Sequence, residues 1–135
     1  MTDITNLSTV NVAISNYIAV VTMNNPPVNA QNRQFHDDLT LAFDVLSDRN
    51  DVRSIVLTGA GKCFSAGADI KGRASQESDL GDHWVHSRRV RECFYSIMEC
   101  RKPVIAAING AALGAGLAVA ASADILIASE SASVG

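Results

Sequence analysis

The sequence predicts an α/β fold in which helices cross over between strands of one sheet. Runs with two-residue apolar periodicity alternate with runs of helical periodicity along the whole chain. Two β-type runs each end in a stretch of small residues, Leu57 to Ile70 and Asn109 to Leu117, where bare backbone can approach a neighbour or a ligand closely. With 47% hydrophobic and 19% charged residues, the 135-residue chain has the composition of one packed domain and not of a disordered segment.

The elements follow in order. Thr9 to Ser15 alternates apolar Val10, Val12 and Ile14 with small or polar residues, as a half-buried strand does. Asn16 turns the chain, and Tyr17 to Met23 returns as the second strand of a hairpin. Asn24-Asn25-Pro26-Pro27 stops it, because neither proline can donate to a ladder. From Asn32 to Ser47, Phe35, Leu39, Ala42, Phe43 and Leu46 share one helical face, with Asp37, Asp38 and Asp44 expected on the others.

Ser54 to Thr58 reads as a short buried strand, and Gln76 to Gly81 as a polar surface loop. Trp84 to Cys100 is helical, with Val85, Val90, Phe94, Ile97 and Met98 as expected core contacts. Arg101-Lys102-Pro103 ends that helix. Val104 to Ile108 is strand-like, Ala115 to Ala121 a helix of very small residues, and Ile125 to Ala128 the last strand. Val104 to Ala121 carries no charge over 18 residues, and Gly110 and Gly114 match a helix-dimer spacing. Its Ala and Gly content and the Asn109-Gly110 turn favour strand, turn and buried helix over a membrane span.

Charge and cysteine usage exclude several classes. A net charge of −3 with interspersed signs gives no general attraction to nucleic acid or anionic lipid. The first residues lack the basic and apolar regions of a secretory signal. Cys63, Cys93 and Cys100 form no spaced framework, so reduced thiols and a cytoplasmic location are expected.

Familiar motifs fail on one or two residues each. Gly59-Ala60-Gly61 has Phe64 where a dinucleotide fingerprint needs its third glycine. A phosphate loop ending at Gly61-Lys62 has Val56 where its first glycine belongs and Cys63 in place of Ser or Thr. Ser65 follows Cys63 where a nucleophile elbow requires glycine. His83 and His86, three apart, read as solvated polar groups on a helix, and no metal site is expected. The two small-residue loops remain. Each alone is explained by close packing; as a pair they can aim two backbone N–H groups at one oxygen, the requirement of an oxyanion hole.

The chain resembles the enoyl-CoA hydratase/isomerase, or crotonase, family. The matching residues are Asn24 to Ala30, Leu57-Thr58-Gly59 with Phe64 to Ile70, Lys102 to Gly110 with Leu113 to Gly116, and Ala123-Asp124. The resemblance implies a spiral of repeated β-β-α units, stopped before the C-terminal helical region, with residues 1–135 forming an N-terminal spiral core. It also implies binding of an acyl-CoA thioester, coenzyme A entering as part of the substrate and no separate cofactor. A homotrimer or hexamer is implied for the full length.

Motif matching puts the two oxyanion-hole amides on Ala68 and Ala115. Pro27, Val28, Ala30, Ala66, Gly67, Asp69 and Ile70 would lie along coenzyme A, and Leu113 and Gly114 against the thioester. Where hydratases of the family carry their first acid/base glutamate, this chain has Ala118, which moves no proton. The second carboxylate falls beyond Gly135, and Glu130 reads as a surface residue. The expected function is hydration or isomerisation of an enoyl-CoA through a stabilised enolate. The alternative is a non-catalytic acyl-CoA-binding or assembly module. A serine peptidase of the related Clp-type spiral lacks its histidine, since none follows Ala115.

Overall fold

The computed structural model describes residues 3–74 and 79–135. β1 (Val10–Ser15) and β2 (Ile18–Met23) form an antiparallel hairpin, followed by α1 (Arg33–Asp48) and β3 (Ser54–Gly59). β4 (Cys63–Ser65), α2 (Ile70–Ala74) and α3 (Leu80–Met98) come next. β5 (Val104–Ile108), β6 (Ala111–Ala112), α4 (Ala115–Ala121) and β7 (Ile125–Ala128) complete the order. One five-stranded sheet runs β1-β2-β3-β5-β7, parallel from β2 onward, and β4 pairs with β6 in a second, two-stranded parallel sheet.

The two sheets grow together. β3 and β5 each lie in the large sheet and are followed by β4 and β6 in the small one, then by helix. Single bridges, Gln31 to Ala68 and Ala112 to Val134, extend the same pattern on either side. The chain therefore advances one strand per turn in both layers, the β-β-α spiral. Parallel neighbours need long crossovers, and α1, α3 and α4 supply them. The uncharged run from Val104 resolves into β5, a turn, β6 and α4, and among the described residues no helix is long and apolar enough to cross a membrane.

Alternation on the strands decides which face is covered. Ala19, Val21, Met23, Ile55, Leu57, Val104 and Ala106 are fully buried and join Phe35, Leu39, Phe43 and Leu46 of α1 in one core. The Asn32 side chain caps α1 by accepting from Phe35 N at 2.8 Å. Asp38 departs from its expected exposed face and is buried. Its carboxylate accepts from Thr9 N at 2.9 Å, Thr9 Oγ1 at 2.8 Å and Gln34 Nε2 at 2.7 Å, which ties α1 to the entry of β1. Three hydrogen bonds to a charged acceptor outweigh the amphipathic pattern there.

Helix α3 also corrects the sequence reading. It starts at Leu80 with Asp79 as its N-cap, so Leu80 and Gly81 are helical; residues 76–78 of the expected loop lie outside the described residues. Cys93 and Ile97, one turn apart, make the buried contact, while Val85 and Met98 are about half exposed. Tyr95 shares that exposure and Trp84 is more exposed still, so α3 carries an apolar outer face. Ile125, Leu126 and Ile127 of the edge strand β7 are also exposed, on both faces.

Candidate active site

The site begins where β3 runs out. A Cβ on Gly59 would lie 2.5 Å from the carbonyl oxygens of Cys63 and Phe64, so only glycine lets the chain fold back this tightly. Asn29 holds the turn from beneath. It is buried, with φ of 53°, a left-handed conformation that asparagine tolerates. Its Nδ2 faces the carbonyls of Ala60 at 3.1 Å, Cys63 at 2.9 Å and Phe64 at 3.2 Å, and its Oδ1 accepts from Asn25 N at 2.9 Å.

Asn109 performs the corresponding task for the second loop. Its Oδ1 accepts from Gly59 N at 3.1 Å and its Nδ2 donates to Gly61 O at 3.1 Å. Gly110 then packs against the Lys62 carbonyl and Gly116 against the Ser65 carbonyl, each so closely that no side chain fits. Leu113 N donates to Ser65 O at 3.0 Å. The two small-residue loops, 44 positions apart at Ser65 and Asn109, are thus fastened together by their own backbone.

Hydrogen bonding fixes where their amides point. Gln31 N donates to Gly67 O at 2.8 Å, and Asp69 N donates to Gln31 O at 3.0 Å. In the trans Gly67–Ala68 peptide the N–H opposes the C=O, so the Ala68 N–H is turned away from Gln31. Among the described residues it has no acceptor. Ala115 is the first residue of α4, where an N–H lacks an intrahelical partner, and it too has none. Gly114, at φ of 54°, sets the helix entry. A Cβ at Gly67 would stand 2.6 Å from Leu113 O and 3.2 Å from Ala115 N. The residue before one free amide therefore abuts the other.

Around these amides lie most of the residues expected from the sequence. Pro27, Val28, Ala68, Ile70, Leu113 and Gly114 are exposed; Ala30, Ala66, Asp69 and Ala115 are half-buried, and Gly67 is buried. Ala66 N donates to Val28 O at 2.9 Å, joining the Pro27 turn to the first loop. Asp69 is the one titratable residue of the set, and its carboxylate accepts from Gly72 N at 3.0 Å in the first turn of α2. Ala118 sits on α4 as a methyl group, and Glu130 is exposed beyond β7.

The Ser65 hydroxyl is buried and fully committed. It donates to Asn29 O at 2.8 Å and accepts from Gly67 N at 3.2 Å and Gln31 Nε2 at 3.3 Å. One donor and two lone pairs are thereby used, leaving nothing for a nucleophile to employ. A groove of ≈ 440 Å³ lies elsewhere, on the outer face of α3 along His86, Val90, Phe94, Tyr95 and Met98.

Sequence reasoning did not give roles to Asn29, Gln31, His36 or Asn109. The two asparagines flank predicted turns, which was a usable signal. Nothing local marks Gln31 or His36.

The family model described as enoyl-CoA hydratase/isomerase matches residues 13–135. The chain is 38% identical over 129 residues to a probable enoyl-CoA hydratase of Bacillus subtilis (strain 168), covering 96% of this chain and 50% of the relative. It is 36% identical over 119 residues to a Mycobacterium tuberculosis (strain ATCC 25618 / H37Rv) protein named (7aS)-7a-methyl-1,5-dioxo-2,3,5,6,7,7a-hexahydro-1H-indene-carboxyl-CoA hydrolase, covering 87% of this chain and 47% of that one. An enoyl-CoA hydratase/carnithine racemase structure from Magnetospirillum magneticum superposes with a TM-score of 0.91 at 30% identity, covering 96% of this chain and 49% of that one. The chain thus spans about half the length of these relatives.

Proposed function

The chain belongs to the enoyl-CoA hydratase/isomerase family, and on that premise we propose that it binds an acyl-CoA thioester and stabilises the thioester enolate with the N–H groups of Ala68 and Ala115. The carrying observation is that both amides lack an acceptor among the described residues while Gly67 brings their loops into contact. A thioester oxygen between them gains negative charge as an α-proton leaves or as water adds to the double bond. Two preorganised donors meet that charge without reorganising. Each is worth about 3 kcal/mol of barrier in comparable sites. The exposed apolar rim of Val28, Ile70 and Leu113 suits the acyl and pantetheine portions.

Ala118 divides the labour. No proton-moving group stands one turn into α4, so the acid or base has to be a residue outside that helix. Hydration or isomerisation of an enoyl-CoA is the reaction this reading favours, in a cytoplasmic homotrimer or hexamer, with coenzyme A carried by the substrate and no other cofactor.

Ala115→Pro tests it in the natural full-length protein. Proline suits the first position of a helix, so the substitution deletes the N–H and leaves α4 intact. Turnover of crotonyl-CoA should fall by about two orders of magnitude, with binding of the coenzyme A thioester kept. Ala68→Pro should do the same, and Ser65→Ala should leave turnover measurable. Wild-type turnover in Ala115→Pro would refute the amide role. Binding without any turnover in the unaltered protein would favour the non-catalytic module instead.

A further inference from the structure

Resting on that reading, we infer that Gln31 is a positioning residue that aims the Ala68 amide, and that His36 orients Gln31 from within α1. Gln31 grips the loop at three points. Its backbone takes the positions on either side of Ala68, donating to Gly67 O and accepting from Asp69 N. Its side chain reaches Ser65 Oγ, which in turn holds Gly67 N. On its far side, Gln31 Oε1 meets His36 Nε2 at 3.2 Å. Gln31 and His36 are each 2% exposed and Ser65 is 0% exposed, so water does not compete for these bonds.

The chain of bonds has one consistent direction. The Ser65 proton is committed to Asn29 O, so Gln31 must donate to Ser65 through Nε2. Its Oε1 then faces His36, which must carry its proton on Nε2. That leaves His36 Nδ1 as a bare nitrogen, buried with no partner among the described residues. A neutral imidazole tolerates this; a second N–H there would be a buried orphan. The His86 ring, 6.0 Å away, and Arg89 face the same imidazole and add to the penalty on charging it.

An amide reached only through the backbone bridge can rock about it. The side-chain bond to Ser65 removes that freedom and fixes the Ala68 N–H relative to Ala115. Gln31→Met keeps shape and backbone bonds and deletes both side-chain bonds. It should lower kcat about tenfold with KM changed less than twofold, because the lost alignment matters as charge develops.

The discriminating readout is the carbonyl stretch of bound butyryl-CoA, a saturated thioester that cannot be hydrated, followed by Raman difference spectroscopy. In the unaltered full-length protein two donors should lower its frequency, and Gln31→Met should recover part of that shift at similar affinity. No lowering in the unaltered protein would overturn the amide-pair reading itself. A full lowering retained in Gln31→Met, even with reduced melting temperature, would overturn the role of Gln31 alone and make it structural. His36→Phe, which keeps ring volume and loses the bond to Oε1, supplies the second variant. It should recover part of the shift as well, and an unchanged shift there would overturn the orienting role of His36.

Discussion

Gly67→Ala is the most demanding perturbation of the site, because one methyl group meets two constraints. The residue has φ of 90°, where an L side chain crowds its own backbone at about 1–2 kcal/mol. The new Cβ would also stand 2.6 Å from Leu113 O and 3.2 Å from Ala115 N. Ordinary contact starts at 3.4 Å, so the loops must part by about 0.8 Å. Strain and overpacking together should cost about 2–5 kcal/mol of folding stability. A displacement near 1 Å between reacting groups lowers rates about 100-fold, and kcat should fall by that order. Urea unfolding and steady-state turnover of crotonyl-CoA measure the two effects. Gly61→Ala is the control: its φ is 76°, yet nothing lies within 4 Å of its Cβ position. It should lose about 1 kcal/mol and keep its turnover. Equal turnover in the unaltered protein and Gly67→Ala would refute the claim that this glycine sets the spacing of the amides.

Asn29→Asp retains shape and left-handed backbone but replaces a donor with a carboxylate facing three carbonyl oxygens. It should destabilise by about 3–5 kcal/mol at neutral pH, with recovery on acidification as the new carboxyl takes a proton; a urea midpoint near that of the unaltered protein at pH 8 would count against the hub. Stability should also depend on pH through His36. Burial, with His86 and Arg89 adding to it, pushes its pKa down to about 4 from the ordinary 6.5. Between those values the unfolded chain holds the extra proton, so stability is complete above pH 6.5 and declines as pH falls toward 4. The full difference is about 3 kcal/mol, and His36→Phe should flatten the slope of urea midpoint against pH; an unaltered slope would reassign it to other groups.

Periodicity carried most of the architecture. β5, α4 and β7 lie where alternation and small-residue patterning put them, and the hairpin and α1 differ by a residue at their ends. What escaped were pieces too short to show a period: β4 with three residues, β6 with two, and α2 with five. These pieces line the candidate site. They form because the first loop is pinned by Asn29 and Asn109, contacts 34 and 50 positions apart in the chain. The burial of Asp38 and the exposure of Val85 and Met98 escaped for a related reason. A helical face is legible locally, but the element that covers it is not.

The sequence by itself determined the alternating α/β order, the family resemblance, the positions of Ala68 and Ala115, and the lack of a carboxylate at Ala118. Those are properties of residue type and spacing, which a linear reading contains. Tertiary structure decided that both amides stay without acceptors among the described residues, that Gly67 joins their loops, and that Ser65 is spent on hydrogen bonds. It also decided that Gln31 and His36 stand behind the first amide. The direction of an N–H depends on what its peptide's carbonyl bonds to, and here that partner is 36 residues upstream, at Gln31.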